Sequence, residues 1–233
     1  MTTTEVTRPA RPYRADAGPP LVVLAGVSTA LLLAGLIIST TLAGETFPSP
    51  YAAADLVESY FRNNSTAVAI TGFFTFASGV PLAIYAATVS ARLHNLGIRN
   101  PGATIALVGG IVASAFLCLS GLLGWVLSRP DVAGDAGVVH ALQGLTFLTG
   151  GPGHVVLLGL LVAGIAVPGL LAGLLPRWVA VVGLVIAAVS ELATLTLLVD
   201  GLMPLVPIGR FGGLLWLIAA AVLLPKRRPA ANA

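Results

Sequence analysis

The sequence predicts an all-α fold: a polytopic membrane bundle of six transmembrane helices with two short outer-face helices. Three observations carry this. The 233 residues are 57% hydrophobic and 9% charged, with mean hydropathy +0.97, whereas a soluble domain carries roughly 25% charged residues. Apolar runs of about 20 residues, the length a bilayer core demands, recur along the chain. Basic residues gather at alternate ends of these runs, as they do in a protein with a fixed membrane orientation. The runs form one membrane domain over 21–225 and leave no length for a soluble catalytic domain.

Residues 1–20 are polar and proline-rich with Arg8, Arg11 and Arg14, the composition of a disordered cytoplasmic tail. The first span, 21–43, is uncharged. It is longer than the usual signal-peptide core of about 7–15 residues, which predicts an uncleaved anchor. Ser49-Pro50 then offers a helix start. Ala53, Leu56, Val57, Tyr60 and Phe61 recur at helical spacing, with Asp55, Glu58 and Arg62 on the other face. Residues 50–62 are therefore expected as an amphipathic helix on the outer face.

The second span covers 65–91, with Pro81 as the expected kink, and the third 103–128. The stretch 136–176 carries no charge, which is too long for one crossing and awkward for two. Gly150-Gly151-Pro152-Gly153 divides it into an outer-interface or re-entrant helix, 136–149, and a fourth span, 154–173. The fifth and sixth spans are 178–199 and 208–224, and 226–233 forms a basic tail. The pairs Gly169/Gly173 and Gly209/Gly213 have helix-packing spacing. Cys118, the single cysteine, reads as a small buried hydrophobe and excludes an internal disulfide.

With six spans both termini share one side. Nine of the twelve basic residues then flank that side: Arg8, Arg11, Arg14, Arg92, Arg99, Arg177, Lys226, Arg227 and Arg228. The positive-inside rule makes it the cytoplasm and the membrane the cell membrane. The net charge of +3 is thus a topology signal, and no nucleic acid is expected as a partner. The expected partners are the lipid bilayer and another membrane protein. Oligomeric state is left open. Eleven arginines against one lysine, with heavy Ala and Gly use, point to a high-GC bacterial genome.

Glu191 is the acidic residue deepest in any run. It lies 14 residues after Arg177, about 21 Å up a helix, and Arg210 lies 16 residues before Lys226, about 24 Å up the next. Their matched height predicts that they are direct neighbours, ion-paired or bridged by one water, since either charge alone in hydrocarbon costs about 2.5–3.5 kcal/mol. Two readings stay open: a ligand- or proton-binding carboxylate in an outward cavity, or an ion pair fixing the fifth span to the sixth. His154 opens the fourth span, and His140 and Gln143 share a face of the helix before the break. Asp200 begins the last outside loop. No ligand spacing supports a metal site, no cofactor motif is present, and no catalytic residue is assigned.

The segments VPLAIYAATVSARL (80–93), GGPGHVVLLGLLVAGIAVP (150–168), LLPRW (174–178) and IGRFGGLLWLIAAAVLLP (208–225) resemble a family of six-helix bacterial membrane proteins grouped as a domain of unknown function. The resemblance spans roughly 45–228. It implies an integral membrane protein and assigns no chemistry. The function expected is a non-enzymatic binding, sensing or accessory protein. The alternatives are a small-molecule or proton-coupled carrier using Glu191 and, third, a membrane-embedded enzyme.

Overall fold

The computed structural model describes residues 18–49 and 51–226. The remainder of the two tails, with Arg8, Arg11, Arg14, Arg227 and Arg228, and Pro50 lie outside the described residues. Every regular element described is helical, and six helical stretches are long and apolar enough to cross a membrane.

Helix α1 (Leu21–Ala43) starts after Pro20 and ends at Gly44, which takes the left-handed conformation that a glycine adopts without strain. The amphipathic helix α2 (Ala54–Asn63) follows, with Val57, Tyr60 and Phe61 buried. It begins four residues later than Ser49-Pro50 implied. Ser49 instead closes a turn, its carbonyl accepting from Ala52 and its hydroxyl from the Tyr51 N–H. Helix α3 (Ser65–Asn95) runs through Pro81 and continues one turn past the apolar run, ending before Gly97 at φ 90°. Helix α4 (Gly102–Leu127) and the single turn α5 (Pro130–Ala133) lead to α6 (Ala136–Leu148), which Asp135 caps by accepting from the Val138 N–H at 3.1 Å.

Thr149–Gly153 is a π-turn that joins α6 to α7 (His154–Leu171). The outer segment is therefore continuous with the fourth span, and the break is a kink centred on Gly151 (φ −83°, ψ −107°). Helix α8 (Arg177–Leu192) tightens into a 3₁₀ stretch, Ala193–Leu197, and a loop leads to α9 (Leu205–Leu223). Pro207 sits in the first turn of α9, where its missing N–H costs nothing.

The long helices pack in sequence: α1 on α3, α3 on α4, α4 on α7, α7 on α8 and α8 on α9. Helix α9 returns to α1 and α7. Small residues set the closest approaches. A Cβ on Gly72 would meet the Gly121 carbonyl at 2.8 Å, and one on Gly121 would meet the Gly72 carbonyl at 2.7 Å. Gly209 abuts Val155 and Ser190, and Gly213 abuts Leu158. Gly173, expected as a packing residue, instead ends its helix at φ 64° with open space around it. Polar side chains bond across the seams: Tyr85 Oη to the Leu217 carbonyl at 3.1 Å, Trp216 Nε1 to that of Val179 at 2.8 Å, and Ser28 Oγ to that of Ser78 at 2.8 Å. Cys118 is half-buried and directs its thiol to the Phe76 carbonyl.

A second, smaller core caps the bundle at one end. Val57, Tyr60 and Phe61 of α2 meet Val68, Leu127, Ala133 and Val139. Phe47 packs edge-on against Tyr60 and Phe61.

Candidate functional site

The site grows from the π-turn. Pro152 cannot donate a backbone hydrogen bond, so the ladder widens around it. The His154 N–H donates to the carbonyls of Thr149 and Gly151 and passes over that of Gly150. Arg210 of α9 donates its Nη2 to that skipped Gly150 carbonyl. The Arg210 Nε is enclosed and finds no acceptor among the described residues. His154 is fully buried and its Nδ1 lies 2.9 Å from the Ala113 carbonyl. A carbonyl only accepts, so Nδ1 carries the proton and the neutral ring keeps its lone pair on Nε2. That Nε2 is also buried without a partner among the described residues.

Arg210 and His154 thus meet around the π-turn. Glu191 does not join them. No ion pair connects Glu191 to Arg210, so the direct pairing expected from matched height is not formed. The reason is rotational. It is Ser190 that faces α9, its Oγ 2.8 Å from where a Cβ on Gly209 would sit. Glu191, one residue on and about 100° further round the helix, lies against α7: its Oε1 is 3.2 Å from a Cβ built on Gly159. Glu191 is exposed on the flank of the bundle, and no cationic group lies within 4.0 Å of it among the described residues.

A cavity of about 400 Å³ opens beside the π-turn. Phe116 of α4, Leu148, Pro152 and Gly153 form one wall, and Val156 and Leu157 of α7 form its floor. Thr194 and Leu197 of the 3₁₀ stretch close the other side. Leu148 and Leu197 are exposed, so the cavity is a groove open to the flank. Thr194 brings the only hydroxyl in its lining. The groove was not expected from sequence, because it depends on how far the kink separates α6 from the end of α8. Glu191 lies one turn before Thr194, and Gly159, against which its carboxyl rests, is three residues beyond Val156. Glu191 does not line the groove; its carboxyl lies about one helical turn deeper than Thr194 and Val156, adjoining the groove's inner end.

The secondary residues lie apart from this centre. His140 Nε2 stands 3.6 Å from Glu58 Oε1, linking α6 to α2. Gln143 is buried and donates to the Pro48 carbonyl at 3.1 Å. Both hold the cap onto the bundle. Asp200 is exposed in the loop before α9.

No family model, curated protein or solved structure matches the chain.

Proposed function

We propose that this chain is a multi-pass protein of the cell membrane that binds an apolar, membrane-resident molecule in the groove beside the π-turn, as a non-enzymatic binding, sensing or accessory component. The groove carries the reading. Its volume of about 400 Å³ falls within the roughly 300–1,000 Å³ of small-molecule sites, which are apolar with a few placed polar groups. The bundle's flanks are apolar too: Leu171 is 75% exposed and Leu198 84%. Such a surface suits lipid, and a molecule dissolved in the bilayer reaches the groove without crossing water.

In this reading both termini are cytoplasmic and the cap of α2, α5 and α6 is extracytoplasmic, which the distribution of basic residues supports. Reporter fusions at Ala233 and within residues 130–136 are expected in opposite compartments. The same compartment for both would refute six crossings.

Groove binding is tested with an uncharged, diazirine-bearing phenylalkyl alcohol in proteoliposomes. Crosslinks should concentrate on peptides carrying Phe116, Leu148, Val156 and Leu157. Thr194→Trp, which fills the groove from an exposed position, should reduce them at least about tenfold. Even labelling of every bilayer-facing helix would refute a specific site.

A carrier is the second reading, because Glu191 has no cationic partner among the described residues and intramembrane carboxyls commonly mark transport pathways.

A further inference from the structure

The geometry points to a compact lipophilic amine as the ligand of the groove, with its nitrogen on Glu191 and its apolar body against Phe116, Leu157 and Leu197. This rests on the groove being a binding site and goes further by assigning the chemistry of the ligand.

Three observations converge. First, the groove lining is apolar apart from Thr194, so the body of the ligand must be apolar. Second, the acidic group nearest the groove along its lining helices is Glu191, one turn from Thr194, whose Oε1 is held beside Gly159. Glycine there is what lets the carboxyl lie close to α7, since a Cβ would stand 3.2 Å from that oxygen and 2.7 Å from the Ser190 Cβ. Third, no counter-charge lies within 4.0 Å of Glu191 among the described residues. Arg210, the basic residue nearest in height, is committed to the Gly150 carbonyl through the π-turn. The other basic groups described in ion pairs or ring contacts, Arg62, His140 and Arg129, belong to the cap end: Arg62 and His140 face Glu58 and Arg129 stacks on Trp125.

A carboxyl group at this depth, with an apolar groove on one side and no protein cation within 4.0 Å among the described residues, is complementary to a hydrogen-bond-donating amine. An ammonium or amine donates to a carboxyl oxygen, whereas an anionic ligand would be repelled and a pure hydrocarbon would leave the carboxyl unpartnered. The volume favours a compact molecule over a two-chain lipid. The amine enters laterally from the leaflet next to the cap, the half of the bilayer at which Glu191 lies.

The experiment compares a diazirine-bearing phenylalkyl amine with the matched alcohol and the matched carboxylic acid, on the full chain in proteoliposomes. The amine is expected to label the groove peptides at least about tenfold more efficiently than the alcohol, and the acid least of all. Glu191→Gln should bring the amine down to the level of the alcohol, and Glu191→Asp should restore part of the preference. Equal labelling of the parent protein by amine and alcohol overturns the amine assignment while leaving the groove intact. An undiminished amine preference in Glu191→Gln also overturns it. Failure of all three probes to label the groove overturns the groove reading itself. The comparison within the parent protein stands whatever the stability of the variants.

Discussion

Gly164→Ala is expected to destabilise the detergent-solubilised protein by about 2–3 kcal/mol, and Gly26→Ala to leave it unchanged or stabilise it by up to about 1 kcal/mol. The chemistry is the same in both: one methyl added inside a long helix. At Gly164 of α7 the new Cβ would fall on the backbone of α4, against the Ala106 nitrogen, 2.7 Å from the Ala106 Cα and 2.7 Å from the Gly102 carbonyl. No rotamer change relieves a clash with backbone, so the two helices must separate, and the clash recurs wherever their seam is closest. Gly109 on α4 makes the reciprocal approach, 2.8 Å from the Leu161 nitrogen. In a bilayer such packing replaces the hydrophobic drive that holds soluble helices together. Gly26 on α1 has nothing within 4 Å of its Cβ position. There the substitution removes only glycine's backbone freedom. Thermal unfolding followed by near-UV circular dichroism should show opposite or unequal shifts. Equal shifts would mean that the α4–α7 seam does not limit stability.

Helix positions were legible in the sequence to the extent that composition decides them. Helix α1 has the predicted bounds because a proline pair precedes it and Gly44 follows, and α4 (Gly102–Leu127) lies one residue before the predicted 103–128 because Pro101 and the polar Ser128-Arg129 bracket it. The start of α2 was misplaced because Ser49 serves a turn as readily as a cap, and nothing local separates the two uses. The site was legible in its parts and not in its assembly. Glu191, Arg210 and His154 stand out in any reading of charges inside apolar runs. Height along a helix follows from counting residues, and it is correct here. Angle about the axis depends on which face meets which neighbour, and Ser190 rather than Glu191 takes the α9 face. The GGPG segment signalled a break. Its consequence, a Gly150 carbonyl that the His154 N–H passes over, depends on the hydrogen-bond ladder widening rather than stopping. The groove belongs to no single segment.

Arg210→Met is expected to cost about 1.5–3 kcal/mol, the range for a hydrogen bond to a charged group, and the cost should not depend on Glu191. Two effects oppose each other. Removing a guanidinium from hydrocarbon is favourable, by up to about 2.5–3.5 kcal/mol at a bilayer centre. Arg210, however, is not at the centre. Gly209 abuts Val155, which sets Arg210 about level with it, and Gly150 lies five residues before Val155. At 1.5 Å per residue the carbonyl stands about 7 Å nearer the cap. The side chain therefore reaches toward the interface, as long basic side chains do, and most of the charge penalty is already relieved. What the substitution removes is the donor that satisfies the Gly150 carbonyl, and the π-turn supplies no replacement from the His154 N–H. The hydrogen bond therefore decides the sign. Because no ion pair links Arg210 to Glu191, Glu191→Gln and Arg210→Met should add to within about 0.5 kcal/mol, as uncoupled residues do. Reversible unfolding of the parent, both single variants and the double variant in mixed micelles measures the cycle. A double variant losing at least about 1 kcal/mol less than the summed singles would reveal a direct Glu191–Arg210 interaction. It would also deprive the groove of its free carboxyl and with it the basis for selecting an amine.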